Sequence, residues 1–589
     1  MKSHVVIGRV LTALCLIVLM GCAGIPDSGP VTKVNAARGG DQSTVRYSPT
    51  GPAKNASPQD IVRGYLDAML AYPVTTGTAA SFLTSEAARE WKSSAGVTVY
   101  AEPQVSTPVV QENAGKVDKP TVDIDLEVVE DASLDRQGRF ERVNARKQFS
   151  FRLARTNGQW RITNPQAGFL VNRKFFSDYY RPFNDYFFDK AGKRLVADPI
   201  YLPVGDQLST SLISSLMMGP KDLLDKTART YAPEGTLLRT SVPLREDGLA
   251  EVQFRDDLGG LSSSAQERLS AQIVWTLRQV DQVTGVRITG GDNVLSPGNR
   301  GIQSINSWAS FGPRFGDGGF YGVQRGRIVE VTGRDVAPVE GPWGRNARKA
   351  AEIAVDSDQL AVVDNARTTL TTGSFDKADV STFSGKRFLR PIQDDDGAVW
   401  AMDRPGSDMR LRLLEDRKFR QIPIGLLSEF RLDSFALSPD GSRYAVIADV
   451  GGTAQVYAGS VLRNVQDAVE SLGDPVLLRP NGADFTSPRS ISWATATTVT
   501  FLADDSVVGT QVFESRIDGL SSSGATASSG SLLPDVSAVS LVTTGGDDPT
   551  RYVTDKTRHT WLLRPGGAWE RLDPIGVIGL TASYASSTG

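Results

Sequence analysis

The sequence predicts an exported, multidomain chain in which an α+β domain, an α/β domain and an all-β repeat domain follow one another. Its 589 residues are about four times the length of a usual single domain. An apolar segment after Lys2 and Arg9 has the character of an export signal. In the last third of the chain, helical patterns give way to short apolar segments that recur between turns.

The composition excludes two classes of protein. Hydrophobic residues make up 40% and charged residues 22% of the chain, which excludes disorder of the whole. Lys and Arg number 64 against 67 Asp and Glu, with no basic block, so nucleic acid is not an expected partner. The two His are His4 and His559, and the two Cys are Cys15 and Cys22. Too few of these ligands remain after export for a zinc site of the Cys/His type, and we expect no metal and no cofactor.

The N-terminal segment carries the predicted site of modification. Val10 to Met20 is an uncharged apolar run of 11 residues, shorter than the roughly 18 needed to span a bilayer. Leu19-Met20-Gly21-Cys22 follows and resembles the lipobox of bacterial lipoproteins, although Met20 is an unusual occupant. The resemblance implies an S-diacylglycerol and an N-palmitoyl group on Cys22, and two or more acyl chains anchor a protein stably. The alternative is an ordinary cleaved signal in which Cys22 is incidental.

These features predict a signal peptide over residues 1–21 and a flexible tether over 22–57. The tether carries five Gly and four Pro and shows no helical or strand period. The mature chain is therefore predicted at the cell membrane, lipid-anchored on the extracytoplasmic face.

Residues 58–194 are predicted as an α+β domain. Ser57 can cap a helix that has Pro58 at its first position and Asp60 in its first turn. Alternating segments after a second helix indicate an antiparallel sheet, with Asn157-Gly158 as a tight turn. This order resembles cystatin or NTF2-like domains. Nine aromatic residues lie between Phe169 and Phe188, which indicates either a docking stripe or, as we expect, a buried connector.

Residues 195–298 are predicted as an α/β domain. A helical face ends at Gly219-Pro220, and two strands are expected over Thr236 to Leu244 and Leu249 to Phe254. Ser264 and Glu267 have the spacing of a capping box at the start of a long helix. Val286 to Thr289 is expected to be the closing strand.

Residues 299–589 are predicted as a β-propeller. Apolar segments begin at positions 353, 388, 435, 491 and 539, and neighbouring starts are 35 to 56 residues apart. Blades of four strands with variable loops have about this spacing. Ser438-Pro-Asp-Gly441 is the clearest turn. A pair of β-sandwiches is the alternative.

Three phrases in the second domain carry a specific family resemblance. Leu216 to Pro220 (LMMGP), Ala271 to Leu277 (AQIVWTL) and Val286 to Thr289 (VRIT) resemble the GerMN module of sporulation and germination proteins. With the lipobox, Gly24 to Ser28 (GIPDS) and the NTF2-like unit, the whole chain resembles the LpqB family of actinobacterial lipoproteins. That resemblance implies a C-terminal β-propeller and a partner, the extracytoplasmic sensor domain of a two-component histidine kinase that governs cell-wall homeostasis and division.

Motifs for catalysis are weak in this sequence. No G-x-G-x-x-G, Walker A or G-x-S-x-G string occurs. Ser374 and Lys377 fit S-x-x-K without its partner motifs, so this match is expected to be chance. Asp394-Asp395-Asp396-Gly397 lacks the spacing of a calcium loop and is expected to be a solvated turn of a blade. His559 is expected to be structural.

We therefore expect a membrane-anchored, non-catalytic accessory protein that binds the kinase sensor domain, with no catalytic residues. Two alternatives stay open. One is an envelope glycan or peptidoglycan hydrolase that uses paired carboxylates, and the other is a solute-binding lipoprotein of a transporter.

Overall fold

A computed structural model describes residues 46–582, except 106–108, 112–120, 222–223, 314–318, 357–358, 378–380, 395, 416, 479–484, 520–531, 547–548, 565 and 573–575. Cys22, the predicted signal peptide and most of the predicted tether therefore lie outside the described residues. The chain from Tyr47 onward forms one compact unit. Three modules follow one another in it: an N-terminal α+β module, a middle α/β module and a propeller.

The first helix of the N-terminal module begins where the sequence predicts. The Ser57 hydroxyl accepts the Asp60 N–H at 3.2 Å, and the Asp60 carboxylate accepts the Ser57 N–H at 3.4 Å. This reciprocal pair satisfies two backbone donors that no helical carbonyl can reach. The helix then buries Ile61, Val62 and Tyr65 against the sheet.

The sheet of this module curves around that helix. Along its long central strand, Val122, Ile124 and Leu126 alternate with more exposed residues and face the helix. The space between sheet and helix is filled by aromatic rings, with Tyr65 packed 6.0 Å from both Trp91 and Phe151. The helices are Pro58–Ala68, Gly77–Ala80, Ser85–Glu90 and Arg173–Tyr179, with a 3₁₀ turn Ser93–Ala95, and the strands are Val97–Val105, Val109–Gln111, Thr121–Leu134, Phe140–Thr156, Gln159–Ile162 and Phe169–Asn172.

The aromatic segment between Phe169 and Phe188 connects the first two modules. Phe175, Phe176 and Tyr180 are buried in one cluster with Tyr72 and Tyr201. This packing fits the interpretation of the segment as a buried connector and not as an exposed docking stripe.

The middle module places a helix across a small parallel pair of strands. Leu249–Phe254 and Gly285–Gly290 run parallel, and Ser263–Leu277 crosses between them. A long antiparallel hairpin, called here the docking hairpin, precedes them and consists of Tyr180–Asp189 and Leu195–Pro203. The predicted boundary at 194 falls in the turn of this hairpin. The remaining strands are Ala228–Arg229, Asn293–Val294 and Gln303–Ser304, the other helix is Leu208–Met217, and 3₁₀ turns occupy Pro297–Asn299 and Ala309–Phe311.

Two local predictions for this module are wrong. The long helix is capped by Ser262, whose hydroxyl accepts the Ala265 N–H, and not by a box at Ser264 and Glu267. Three consecutive serines can each serve as a cap, and sequence spacing does not choose among them. The predicted strand from 236 to 244 is reduced to isolated bridges at Leu238 and Leu244.

The described part of the last module contains six sheets arranged in a ring. The inner strands of all six sheets line one central channel. Blade 1 joins the last strand of the chain to the first strands of the module, because Ile578–Ala582 pairs with Phe320–Gln324. This pairing closes the ring, as in other β-propellers, and it excludes a pair of sandwiches.

Each blade has its strands in order from the channel outward. Blade 1 contains Ile578–Ala582, Phe320–Gln324, Arg327–Thr332 and Asp335–Pro338; blade 2, Ala350–Asp356, Gln359–Asp364, Thr369–Ser374 and Ser381–Ser384; blade 3, Ile392–Gln393, Val399–Asp403, Arg410–Glu415 and Lys418–Ile422. Blade 4 contains Arg431–Leu437, Arg443–Val450, Thr453–Arg463 and Val469–Leu472, with Val476–Leu477 also on its third strand; blade 5, Phe485–Thr495, Thr498–Asp505 and Gly509–Arg516; blade 6, Ala538–Thr543, Arg551–Asp555, Thr560–Leu563 and Glu570–Leu572. A short helix, Pro342–Arg345, and a 3₁₀ turn, Gly425–Ser428, lie between blades.

Candidate functional site

The motifs that suggested catalysis or metal binding are structural in the propeller. The Ser374 hydroxyl donates to an Asp376 carboxylate oxygen at 2.8 Å, while Lys377 is exposed. His559 lies in a turn of blade 6, with its Nδ1 2.7 Å from the Thr557 hydroxyl and 3.4 Å from an Asp555 carboxylate oxygen. Each hydroxyl bonds side chains of its own turn, and Ser374 is buried, so both sets of contacts stabilise turns.

Asp394 organises a turn between two strands of blade 3. One carboxylate oxygen accepts the backbone N–H groups of Asp396 and Ala398, and the other accepts the Trp400 indole N–H at 2.8 Å. Burial raises the pKa of Asp394. The predicted blade turn is present, but the Asp394 carboxylate is buried in it, not solvated, and lies 3.7 Å from the Arg463 guanidinium. Asp395 lies outside the described residues.

The channel through the propeller is the usual ligand position of this fold. It encloses a cavity of about 70 Å³, lined by small and apolar residues of all six inner strands, among them Ala354, Ile392, Ala436, Ser492, Thr543 and Thr581. Among these described lining residues only Arg390 is ionisable, and its guanidinium pairs with Glu352 at 3.2 Å. The lining that the structure describes therefore presents no pair of carboxylates for glycoside hydrolysis.

Among the described residues, a cluster of mostly buried charges joins the docking hairpin to the propeller. Arg194 of the hairpin turn lies 2.6 Å from Asp467 of blade 4 and 3.4 Å from Asp396 of blade 3. Arg463 lies 3.6 Å from Asp467, and Lys193 lies 3.3 Å from it. Only 3% of the Asp467 side chain and 13% of the Arg194 side chain are exposed. These five groups form an ion network that fixes one module on the other.

Two further contacts extend this interface across blades 4 and 5. The Arg443 guanidinium, itself almost fully buried, donates to the Ala197 carbonyl at 2.8 Å. The Tyr201 hydroxyl donates to the Asp518 carboxylate at 3.0 Å, and the Arg516 guanidinium lies over the same ring. The hairpin thus docks on the turns at one face of the propeller.

A second polar cluster joins the N-terminal and middle modules. The Arg139 guanidinium lies 2.7 Å from the Asp198 carboxylate, and the Gln137 side-chain amide donates to the carbonyls of Ser215 and Gly219. The Ser215 hydroxyl donates to one oxygen of Asp185 at 2.5 Å. The other oxygen of this fully buried carboxyl has no hydrogen-bond partner among the described residues. Burial raises the pKa of Asp185 well above its usual range.

Sequence reasoning missed both clusters. Arg194 and Asp467 are 273 positions apart, and Arg139 and Asp198 are 59 apart. No spacing rule joins residues across modules, and an isolated Arg or Asp in a loop looks solvent-exposed in a sequence.

The described residues offer no group of three His, Cys, Asp or Glu side chains that could hold a metal ion. In the same ranges, none of the helices combines the length and apolar character that crossing a bilayer requires.

Three family models match consecutive parts of the chain. The model of the lipoprotein LpqB N-terminal domain matches residues 51–177, a model named for sporulation and spore germination matches 185–295, and the model of the lipoprotein LpqB β-propeller domain matches 326–577. The chain belongs to the LpqB lipoprotein family. Membership in a family of lipoproteins implies anchoring to a membrane.

Relatives of the LpqB family align with most of the chain. Lipoprotein LpqB of Cutibacterium acnes is 25% identical over 543 residues, which cover 88% of this chain and 89% of that protein. Lipoprotein LpqB of Streptomyces avermitilis is 24% identical over 601 residues, with coverages of 94% and 95%. A solved gluconolactonase from Xanthomonas campestris covers 41% of this chain and 79% of its own at 16% identity, but its TM-score of 0.30 carries no functional argument.

Proposed function

We propose that this lipoprotein is a non-catalytic accessory protein of the cell envelope, which binds the extracytoplasmic sensor domain of a two-component histidine kinase. Through that contact it modulates signalling for cell-wall homeostasis and division. The placement of charged residues in the described structure supports a binding role. Its buried acidic and basic groups join modules to one another, and the channel of the propeller carries no carboxylate pair. The identity of the partner rests on what the LpqB resemblance implies.

The anchor is proposed at Cys22. Its sulfur would carry a diacylglycerol thioether and its new α-amine a palmitoyl amide. Buried acyl chains contribute about 0.8 kcal/mol per CH₂, so more than one chain gives stable attachment at the outer leaflet. Anchoring confines protein and kinase to one surface, where a raised effective concentration lets a weak contact suffice.

Capture of the purified kinase sensor domain by the immobilised full mature chain tests the binding role. We expect saturable binding that an unrelated envelope lipoprotein does not show. Equal recovery on both proteins would refute the proposed partner.

Replacement of Cys22 tests the anchor separately. In Cys22→Ala the acyl acceptor is lost while the folded unit from Tyr47 onward is unchanged, so the protein is expected in the soluble fraction with an unaltered melting curve. Retention of Cys22→Ala in the membrane fraction would contradict the anchor.

A further inference from the structure

The two faces of the propeller are not equivalent. Antiparallel connectivity places the turns between first and second strands, and between third and fourth strands, on one face. The docking hairpin contacts turns of that kind, at Asp396, Asp440, Asp467 and Thr497. The opposite face carries the turns between second and third strands and the connections between blades, and it is called here the open face.

The open face of blades 1 to 3 is a continuous surface. Backbone hydrogen bonds join its loops in sequence, from Arg348 N–H to the Gly326 carbonyl (2.6 Å), and from Asn365 N–H to the Lys349 carbonyl (3.2 Å). The series continues from Phe388 N–H to the Arg367 carbonyl (3.0 Å) and from Arg404 N–H to the Lys386 carbonyl (2.7 Å). The backbones of these loops are therefore joined to one another, which fixes the positions from which their side chains project.

Exposed cations follow this series of loops, and together they are called here the basic arc. Its members are Arg325, Arg327, Arg345, Lys349, Lys386 and Arg387. Within the described ranges none of the six takes part in an ion pair, in contrast to the arginines under the docking hairpin. The described acids of the same loops are Glu340, Asp364 and Asp408. Asp364 accepts hydrogen bonds from Thr368 and Thr369, and Asp408 accepts one from the Ser407 hydroxyl. Unpaired cations on fixed loops produce a positive potential over this half of the face.

The other half of the open face has a different character. Glu429 and Asp474 are exposed on the connections that flank blade 4. Beside them are exposed apolar side chains on the turns and connections of blades 3 to 5, including Leu426 (50% exposed) and Val507 (87% exposed). The open face is therefore basic over blades 1 to 3 and acidic around blade 4, and it also exposes apolar side chains at the tips of its loops.

We propose that the open face is the docking surface for the protein partner, and that the basic arc binds an acidic patch on that partner. This inference rests on the proposed binding function and assigns it to one face. A protein fits better than an anionic polymer or bilayer, because a uniformly negative partner would be repelled by Glu429 and Asp474, whereas a folded domain can match both signs and cover the apolar tips.

Charge reversal on the two faces of the same blades tests the inference. Lys349→Glu with Lys386→Glu reverses two charges of the basic arc. Lys377→Glu with Lys418→Glu makes the same change at turns between third and fourth strands of blades 2 and 3, on the hairpin-side face. All four lysines are exposed, so equal melting temperatures are expected and confirm that both double variants fold.

Binding of the purified kinase sensor domain to the full mature chain is then measured at two salt concentrations. The basic-arc variant is expected to bind about tenfold more weakly at roughly 50 mM salt, with a smaller difference at about 500 mM, while the control stays within about twofold of the wild type. If the wild type binds and both variants bind equally well, the open-face assignment is overturned and the binding function stands.

If the wild type does not bind the sensor domain, the proposed partner fails and photo-crosslinking in cells decides the face. A crosslinker at position 349, but not one at position 377, should then trap a protein in cells. The purified acidic extracytoplasmic domain of that protein should bind the wild-type chain and bind the Lys349→Glu, Lys386→Glu variant about tenfold more weakly. Equal or absent adducts at both positions would overturn the assignment. Arc-dependent binding to phosphatidylglycerol vesicles or to an anionic polysaccharide, without a protein adduct, would overturn it too.

Discussion

Removal of the Asp467 charge should loosen the docking hairpin from the propeller. Asp467→Asn keeps the size of the side chain and suits the left-handed backbone at this position (φ 74°). It removes the negative charge that lies 2.6 Å from the buried guanidinium of Arg194 and that also neutralises Lys193 and Arg463. Breaking a buried pair by removing one partner costs about 3 to 5 kcal/mol. Arg194 keeps Asp396 at 3.4 Å and Asp189 at 3.7 Å, so we expect about 3 kcal/mol, at the lower end of that range.

That free energy corresponds to a roughly 150-fold increase in the population with an undocked hairpin, at 1.36 kcal/mol per factor of ten. Hydrogen exchange of backbone amides in Leu195–Pro203 measures it, because undocking exposes strand groups such as the Ala197 N–H, which lies 3.4 Å from an Asp440 carboxylate oxygen. Asp178→Asn is the control, since its pair with Lys174 is largely exposed and is worth less than about 1 kcal/mol. Equal protection of the hairpin in both variants would refute the structural role of the ion network.

Two other substitutions have distinct expected outcomes. Burial raises the pKa of Asp185 in the folded state, so the protonated carboxyl stabilises the fold at low pH. This stabilisation is lost as the pH rises from about 4, the pKa of an aspartate in the unfolded chain, toward the raised pKa of the folded state. Asp185→Asn should therefore raise the melting temperature more at pH 8 than at pH 5, and a pH-independent difference would contradict the burial of an uncharged acid. Leu580 is 1% exposed on the strand that closes blade 1, and Leu580→Ala should cost about 3 kcal/mol of propeller stability. Denaturant unfolding measures it, with Thr581→Ala on the same strand as the control, and equal midpoints would contradict the packing of the closing strand.

The sequence predicts the parts of this fold that depend on local chemistry. Ser57 and Asp60 satisfy neighbouring backbone donors, and Asn157-Gly158 adopts the positive φ angles (51° and 79°) that its tight turn requires. Such interactions need no knowledge of the rest of the chain.

Long-range features could not be predicted in this way. The number of blades depends on the pairing of Ile578–Ala582 with Phe320–Gln324, and no local signal joins two segments so far apart. The ion network under the docking hairpin and the division of the propeller into two unlike faces depend on the same kind of distant contact. Cys22 differs from these features, because the sequence alone predicts its lipobox from a local pattern. The acylation of Cys22 stays a prediction, since this residue lies outside the described residues.

An acylated Cys22 is proposed to hold this binding protein at the membrane. Mass spectrometry of the N-terminal peptide of the mature protein, extracted from its native membrane, measures that modification. We predict a peptide that begins at Cys22 and carries a diacylglycerol thioether with an N-acyl chain. A mature terminus at another residue, or an unmodified Cys22, would contradict it.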